Sequence, residues 1–332
     1  MAAKSSPNDR RPLVVATRRL PAETEERLAD LFDAALGDSD LPAAPARLAG
    51  ILARADIVVA TLGDDLSAGV IAGAGPNLKL IANFGAGVDH IDLAAALAGD
   101  IYVSNTPGVN AADTAEVTLG LMLSVSHRMR EAEALLRAGR WSGWSPRSLL
   151  GHRLSGKRLG ILGLGRVGEA VARHGAGLGL VIHYHNRRPV ASDLAQELGA
   201  TFWDTLGGLL SNVDILSVHC PLTPETRGLV SRGAMEHLPR GAMVINTSRG
   251  GIVDESALAE LLVSGHLGGA GLDVYETAPR VRGELLSAPN TVLLPHIASA
   301  TYQARIAMGE RVILNIRSVL DGHAPPDRVL PS

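Results

Sequence analysis

The hexapeptide Gly163-Leu164-Gly165-Arg166-Val167-Gly168 constrains this chain more than any other stretch. An apolar run, Leu159 to Leu162, precedes it and reads as a buried strand; Ala170-Val171-Ala172 follows and opens a helical segment. The pattern alone is weak, because 37 glycines among 332 residues invite chance matches. Its place at a strand-to-helix turn is what a phosphate-binding fingerprint requires. Gly163 is expected to make the tight turn, Gly165 to let a pyrophosphate approach the backbone, and Gly168 to let the helix pack on the strand. The helix N-terminus offers N–H groups and partial positive charge to the phosphates.

The residues after the next strand, Leu180 to Tyr184, choose the dinucleotide. An NAD-type site places an acid about 20 residues beyond the glycines to hold the ribose 2′-hydroxyl. Here the segment is His185-Asn186-Arg187-Arg188-Pro189, with His185 in the acid's place. Paired guanidiniums suit a 2′-phosphate, and the missing carboxylate removes a repulsion against it. The reading is NADP(H), with NAD(H) as the alternative and a solvated basic loop as the bland one.

Elsewhere the chain is 46% apolar and 20% charged with net charge −3, which suits a two-domain globular protein and gives no basic footprint for nucleic acid. No apolar run approaches the ~18–20 residues of a membrane span. Residues 1–11 are polar, without the apolar region of a secretory signal, and read as a disordered tail. The one cysteine, Cys220, excludes an intrachain disulfide and suits a packed thiol at a strand end. No histidine or acid spacing suggests a metal site. A cytoplasmic location is expected.

Strands are expected at Leu13–Thr17, Asp56–Thr61, Leu78–Asn83 and Ile101–Ser104, with helices at Thr24–Leu36, behind a capping-box-like start at Thr24, and Leu66–Ala74. A long helix is expected over Ala112–Ala138, ended by Trp141-Ser-Gly-Trp144. Later strands read Val213–Val218, Ala242–Asn246, Gly269–Val274 and Thr291–Leu294, and a last helix Thr301–Leu320. Alternating strands and helices predict an α/β fold of two parallel-sheet domains, Rossmann-like and flavodoxin-like, with the active site in the cleft between them. The expected division is 12–110 plus 297–332 as a substrate domain and 111–296 as a dinucleotide-binding domain.

Three strand ends of the second domain carry polar residues: Asn246-Thr247-Ser248-Arg249, Gly271-Leu-Asp273-Val-Tyr275 and Leu294-Pro-His296-Ile-Ala-Ser299. Ligands of open parallel sheets bind beyond the carboxyl ends of strands. Arg249 is the candidate for a substrate carboxylate, because its planar fork accepts two oxygens at once. His296 is the candidate acid/base, because its ordinary pKa lies near working pH. Taken singly, such an Arg is usually a solvated or capping residue and such a His a structural one; their joint placement at the mouth of a dinucleotide site favours function.

Together with His219-Cys220-Pro221-Leu-Thr223 and Pro295-His-Ile-Ala-Ser-Ala-Thr301, these motifs resemble the D-isomer-specific 2-hydroxyacid dehydrogenase family. Asn83-Phe-Gly-Ala-Gly-Val-Asp-His-Ile91 and the basic loop resemble its glyoxylate/hydroxypyruvate reductase branch. The resemblance implies NADPH-dependent reduction of a small 2-oxo acid. His296 would protonate the carbonyl oxygen, and Arg249 would bind the carboxylate together with the backbone N–H groups of Ala86, Gly87 and Val88. Asp273 would bind the nicotinamide carboxamide. Cofactor contacts would also fall on Arg166, Val167, Asn186, Cys220, Pro221 and Thr226, and on Thr247, Ser248 and Ser299. Trp144 would line a neighbour's pocket across a homodimer, with the helix from Ala112 as the dimer arm.

One position departs from the family. Ala278, ahead of Pro279, stands where the family places the Glu that hydrogen-bonds the catalytic histidine. An alanine cannot raise the imidazole's pKa or fix its tautomer. Glu276 is the only nearby acid, and an extended segment need not bring it to the same point. The departure keeps a second reading open, a dinucleotide-binding regulatory protein like the family's corepressors. A formate-type dehydrogenase is weaker, since that branch places Gln at this position.

Overall fold

The computed structural model describes residues 11–331, so all but Arg11 of the tail read over residues 1–11 lies outside it. The described residues form two units, 11–109 with 301–331, and 110–300.

The first unit runs β1 (Leu13–Ala16), α1 (Ala22–Leu31), β2 (Asp33–Ala35), α2 (Pro45–Arg54), β3 (Ile57–Thr61), α3 (Ala68–Ile71), β4 (Leu80–Phe84), α4 (Leu93–Ala98) and β5 (Tyr102–Ser104). Its sheet is parallel in the order β2-β1-β3-β4-β5, the flavodoxin-like arrangement. Every residue of β3 and β4 is buried, because helices cover both faces of a parallel sheet. Leu48, Ile51 and Leu52 of α2 cover one face.

The second unit begins with α5 (Ala111–Ser126) and α6 (Met129–Arg137). It continues with β6 (Arg158–Leu162), α7 (Arg166–Gly177), β7 (Val181–His185), α8 (Ser192–Leu198), β8 (Thr201–Phe202), α9 (Leu206–Ser211) and β9 (Ile215–Val218). Then come α10 (Arg232–Glu236), β10 (Ala242–Asn246), α11 (Glu255–Val263), β11 (Leu267–Leu272), α12 (Gly283–Ser287) and β12 (Thr291–Leu293). The sheet order is β12-β11-β10-β9-β6-β7-β8. The order reverses between β6 and β9, which makes their carboxyl ends a topological switch point. The final helix, α13 (Tyr302–Leu320), returns to the first unit and packs Met308, Val312, Ile313 and Ile316 over the free face of its sheet.

Three local expectations change. The helix expected to Leu36 ends at Leu31, because Phe32 turns extended and Asp33–Ala35 pair with β1 as an edge strand. Sheet pairing here overrides the helical tendency of the alanines. That helix starts behind Pro21 rather than at Thr24, which is buried against Gly309 of α13. The long helix expected over Ala112–Ala138 breaks at Arg128, which takes a left-handed φ of 54°. The Ser126 carbonyl there accepts the His152 N–H (2.8 Å), and Gly151 lies against the same carbonyl, so a crossing segment occupies the helix's path. Among the described residues no helix is long and apolar enough to cross a membrane.

Candidate active site

The switch point of the second unit is built from glycines. Gly163, one residue after β6, has φ 97°, and a Cβ there would lie 2.6 Å from the Cys220 nitrogen. A Cβ on Gly168 would run into the Gly163 carbonyl and meet Ile161 at 3.1 Å, so α7 sits directly on β6. Gly165 differs: a Cβ there would meet nothing within 4 Å. Gly165 also caps α7 without any side-chain hydrogen bond. The first N–H groups of α7, from Arg166, Val167 and Gly168, have no capping acceptor among the described residues. That cradle fits the pyrophosphate of a dinucleotide.

The loop after β7 braces this cradle. The His185 carbonyl accepts the Gly163 N–H (3.0 Å), and the His185 ring nitrogen Nδ1 lies 2.9 Å from the Trp203 carbonyl. The Asn186 side chain accepts the Leu164 N–H at 2.6 Å and donates back to the Leu164 carbonyl at 3.3 Å. Asn186 thus shapes the glycine turn. Arg187 and Arg188 are exposed and carry no ion pair among the described residues. Glu225 stands near enough to Arg187 to feel it: its carboxyl is held below its usual range chiefly by the Thr223 hydroxyl, with a smaller contribution from Arg187.

Along the same sheet edge, β9 runs into His219-Cys220-Pro221. Burial alone drives His219 down to about 3, so its ring is neutral and rests on Ser217 (2.7 Å). Burial pushes the Cys220 thiol up to about 11, which leaves it protonated and a poor nucleophile. Thr226 donates to the Pro221 carbonyl (2.6 Å) and closes its own turn. After β10, Thr247 meets Thr118 of α5 (2.8 Å). The Asn246 carboxamide accepts the Ser248 N–H and hydroxyl and donates to the Arg249 carbonyl (2.9 Å). This knot sets the backbone of Arg249, whose Nη1 donates to the Ser248 carbonyl (2.7 Å).

After β11, Asp273 is fully buried, and its two oxygens accept the N–H groups of Ile297 (2.7 Å) and Ala298 (2.9 Å). Those amides belong to the turn after β12 that carries His296, which is exposed and has φ 58°, and the half-buried Ser299. Ala278 lies on an exposed segment. Glu276 is exposed as well, and its carboxylate accepts Arg282 Nη2 at 2.8 Å. The Glu276 N–H is held by Glu255, a buried acid at the start of α11 whose carboxyl is raised mainly by burial. Trp144 is 85% exposed, beyond an α6 that buries none of its residues.

In the first unit the turn after β4 is an amide-lined loop. Asn83 donates to the carbonyls of Gly85 (2.9 Å) and Gly87 (2.8 Å), and Asn105 donates to that of Ala86 (2.6 Å). With three carbonyls turned inward, the N–H groups of Ala86, Gly87 and Val88 have no hydrogen-bond acceptor among the described residues. Successive unpaired amides of this kind make an anion-binding concavity. Sequence reading reached these three residues through resemblance but missed Asn83 and Asn105. An Asn at a strand end before a glycine turn was a signal for the first; nothing local marks the second.

Residues 119–298 match the family model described as D-isomer specific 2-hydroxyacid dehydrogenase, NAD binding domain. The chain is 38% identical over 329 residues to a glyoxylate reductase of Thermococcus litoralis, covering 96% of this chain and 97% of that relative. It is 38% identical over 325 residues to a glyoxylate reductase of Aeropyrum pernix, covering 96% of each. Among solved structures, an NADPH-dependent glyoxylate/hydroxypyruvate reductase of Sinorhizobium meliloti, in complex with NADP and malonate, superposes with a TM-score of 0.86 at 34% identity. That match covers 96% of this chain and 97% of the other. The chain therefore belongs to the D-isomer-specific 2-hydroxyacid dehydrogenase family, in its glyoxylate/hydroxypyruvate reductase branch.

Proposed function

We propose that this protein reduces a small 2-oxo acid, glyoxylate or hydroxypyruvate, to the D-2-hydroxy acid with NADPH. The observation that carries the reading is the open, uncapped glycine cradle on the same sheet edge as Arg249 and His296. The cradle and the Arg187–Arg188 loop hold the dinucleotide, which supplies the hydride when bound. Arg249 pairs with the substrate carboxylate and polarises the adjacent carbonyl. In the first unit, the amides of Ala86, Gly87 and Val88 form an anion-binding loop whose chemistry also suits a carboxylate. His296 delivers the proton to the carbonyl oxygen, so its imidazolium ends the step neutral. Asp273 retains lone pairs for the nicotinamide carboxamide. The glyoxylate reductase names of the relatives and the NADP-bound relative support this assignment.

The apolar side chains of Met129, Leu136, Trp141, Trp144 and Leu150 are exposed on or beside the α6 arm. They support a homodimer built through that arm, checked by sedimentation velocity. The single cysteine, a protonated thiol, suits a cytoplasmic enzyme. Ala278 favours one competing reading, a dinucleotide sensor with little turnover.

The deciding experiment is the initial rate of NADPH and of NADH oxidation with each oxo acid. Turnover with NADPH about tenfold or more above NADH is expected. Tight NADPH binding without turnover would replace the reductase with the sensor.

A further inference from the structure

We infer that Asp273 and Tyr275 are positioning residues for His296, clamping the backbone turn that carries it from both sides. The inference rests on the reading of His296 as the proton donor.

His296 holds a left-handed φ of 58°. Histidine tolerates that region better than most residues, but such a conformation persists only where its surroundings enforce it. Hydrogen bonds on both sides of the turn supply that enforcement. Downstream of His296, the buried Asp273 carboxylate accepts the Ile297 and Ala298 N–H groups at 2.7 and 2.9 Å. Upstream, the Tyr275 hydroxyl donates to the Leu294 carbonyl at 2.8 Å. Burial, with the negative charge of Asp273 second, pushes the Tyr275 phenol up to about 12, so it remains a donor throughout the working range.

Tyr275 is itself fixed. A Cβ on Gly250 would overlap the Tyr275 carbonyl carbon, so the backbone after Arg249 presses directly on the backbone of Tyr275. One chain of contacts thus runs from Arg249-Gly250 through Tyr275 to Leu294 and the His296 turn. The carboxylate-binding and proton-donating candidates share a backbone brace, which keeps their separation constant.

Two variants test the clamp. Tyr275→Phe deletes one hydroxyl and keeps the ring. Its kcat is expected to fall about tenfold, with the oxo-acid KM and the NADPH Kd unchanged within about twofold. Asp273→Asn puts an amide where both amide protons were accepted, and hydrogen exchange at Ile297 and Ala298 should quicken about tenfold or more. A Tyr275→Phe kcat equal to the parent's overturns the inference. So does a kcat loss matched by an equal loss of NADPH affinity, which marks a merely structural role, or parental exchange rates in Asp273→Asn. Failure of the proton-donor reading registers separately, as a His296→Gln variant with the parent's kcat; the exchange rates then decide the clamp by themselves.

Discussion

Gly163 and Cys220 approach so closely across the β6–β9 crevice that a Cβ on Gly163 would lie 2.6 Å from the Cys220 nitrogen. Gly165, two residues on, faces nothing within 4 Å. The two glycines of one motif therefore serve different ends, and alanine separates them. Gly163→Ala meets both a left-handed φ and a backbone clash, and should cost more than about 2 kcal/mol of stability. Gly165→Ala should leave stability within about 0.5 kcal/mol yet weaken NADPH binding about tenfold or more, because the new methyl occupies the ligand's space. Urea denaturation and dinucleotide titration on both variants check the contrast. Equal NADPH affinity in Gly165→Ala and the parent would remove the pyrophosphate from this cradle.

Arg187 and Arg188 are exposed without ion pairs among the described residues, so replacing them disturbs little of the fold. The double variant Arg187→Ser, Arg188→Ser should raise the KM for NADPH about 10- to 100-fold and change that for NADH by no more than about threefold. Steady-state kinetics with both cofactors reads this directly. A parallel change for the two cofactors would mean that the pair is not the 2′-phosphate site.

Ala278 stands where the resemblance places a Glu, and Glu276 pairs with Arg282. A carboxylate added beside an imidazole favours its protonated form, and reduction consumes that form. Ala278→Glu should therefore carry kcat/KM to higher pH than the parent, by about one pH unit. Superimposable pH–rate profiles would show that position 278 does not act on His296.

Asp214 accepts the Arg158 N–H (2.8 Å), Nε (3.1 Å) and Nη2 (2.9 Å), tying the start of β6 to the residue before β9. The Arg158 side-chain bond holds the Asp214 carboxyl below its usual range. A lowered pKa means the native state releases the proton more readily, so this stabilisation is complete above the ordinary aspartate pKa and fades as acid protonates the folded protein, below about pH 4. Asp214→Asn should cost about 1 kcal/mol at neutral pH, a modest figure because both side chains are partly solvated. The gap between variant and parent should close on acidification. A gap that persists unchanged to low pH would contradict an ionic origin.

Local pattern made much of the site legible. A glycine fingerprint is a backbone requirement written in residue type, and it identified the β6–α7 turn before any fold was known. Strand ends rich in Asn, Arg, Asp and His likewise marked the carboxyl edge, since buried parallel strands read as apolar runs that stop where polar residues begin. The parallel two-sheet α/β architecture followed from the alternation of those runs with helical segments.

Other features were decided by partners distant in sequence. Residues 33–35 became a strand only because β1 offered a free edge. The helix expected over 112–138 broke because a segment near Gly151 crosses its end. Asn105 turned the Ala86 carbonyl inward from across a strand and a helix, and Asp273 gathered two amides 24 and 25 residues away. Residue type and spacing along the chain marked the candidate residues and where the backbone must be bare. The tertiary structure alone decided which way the carbonyls and amides face and what holds His296 in its left-handed turn, because hydrogen-bond directions depend on contacts that no local pattern encodes.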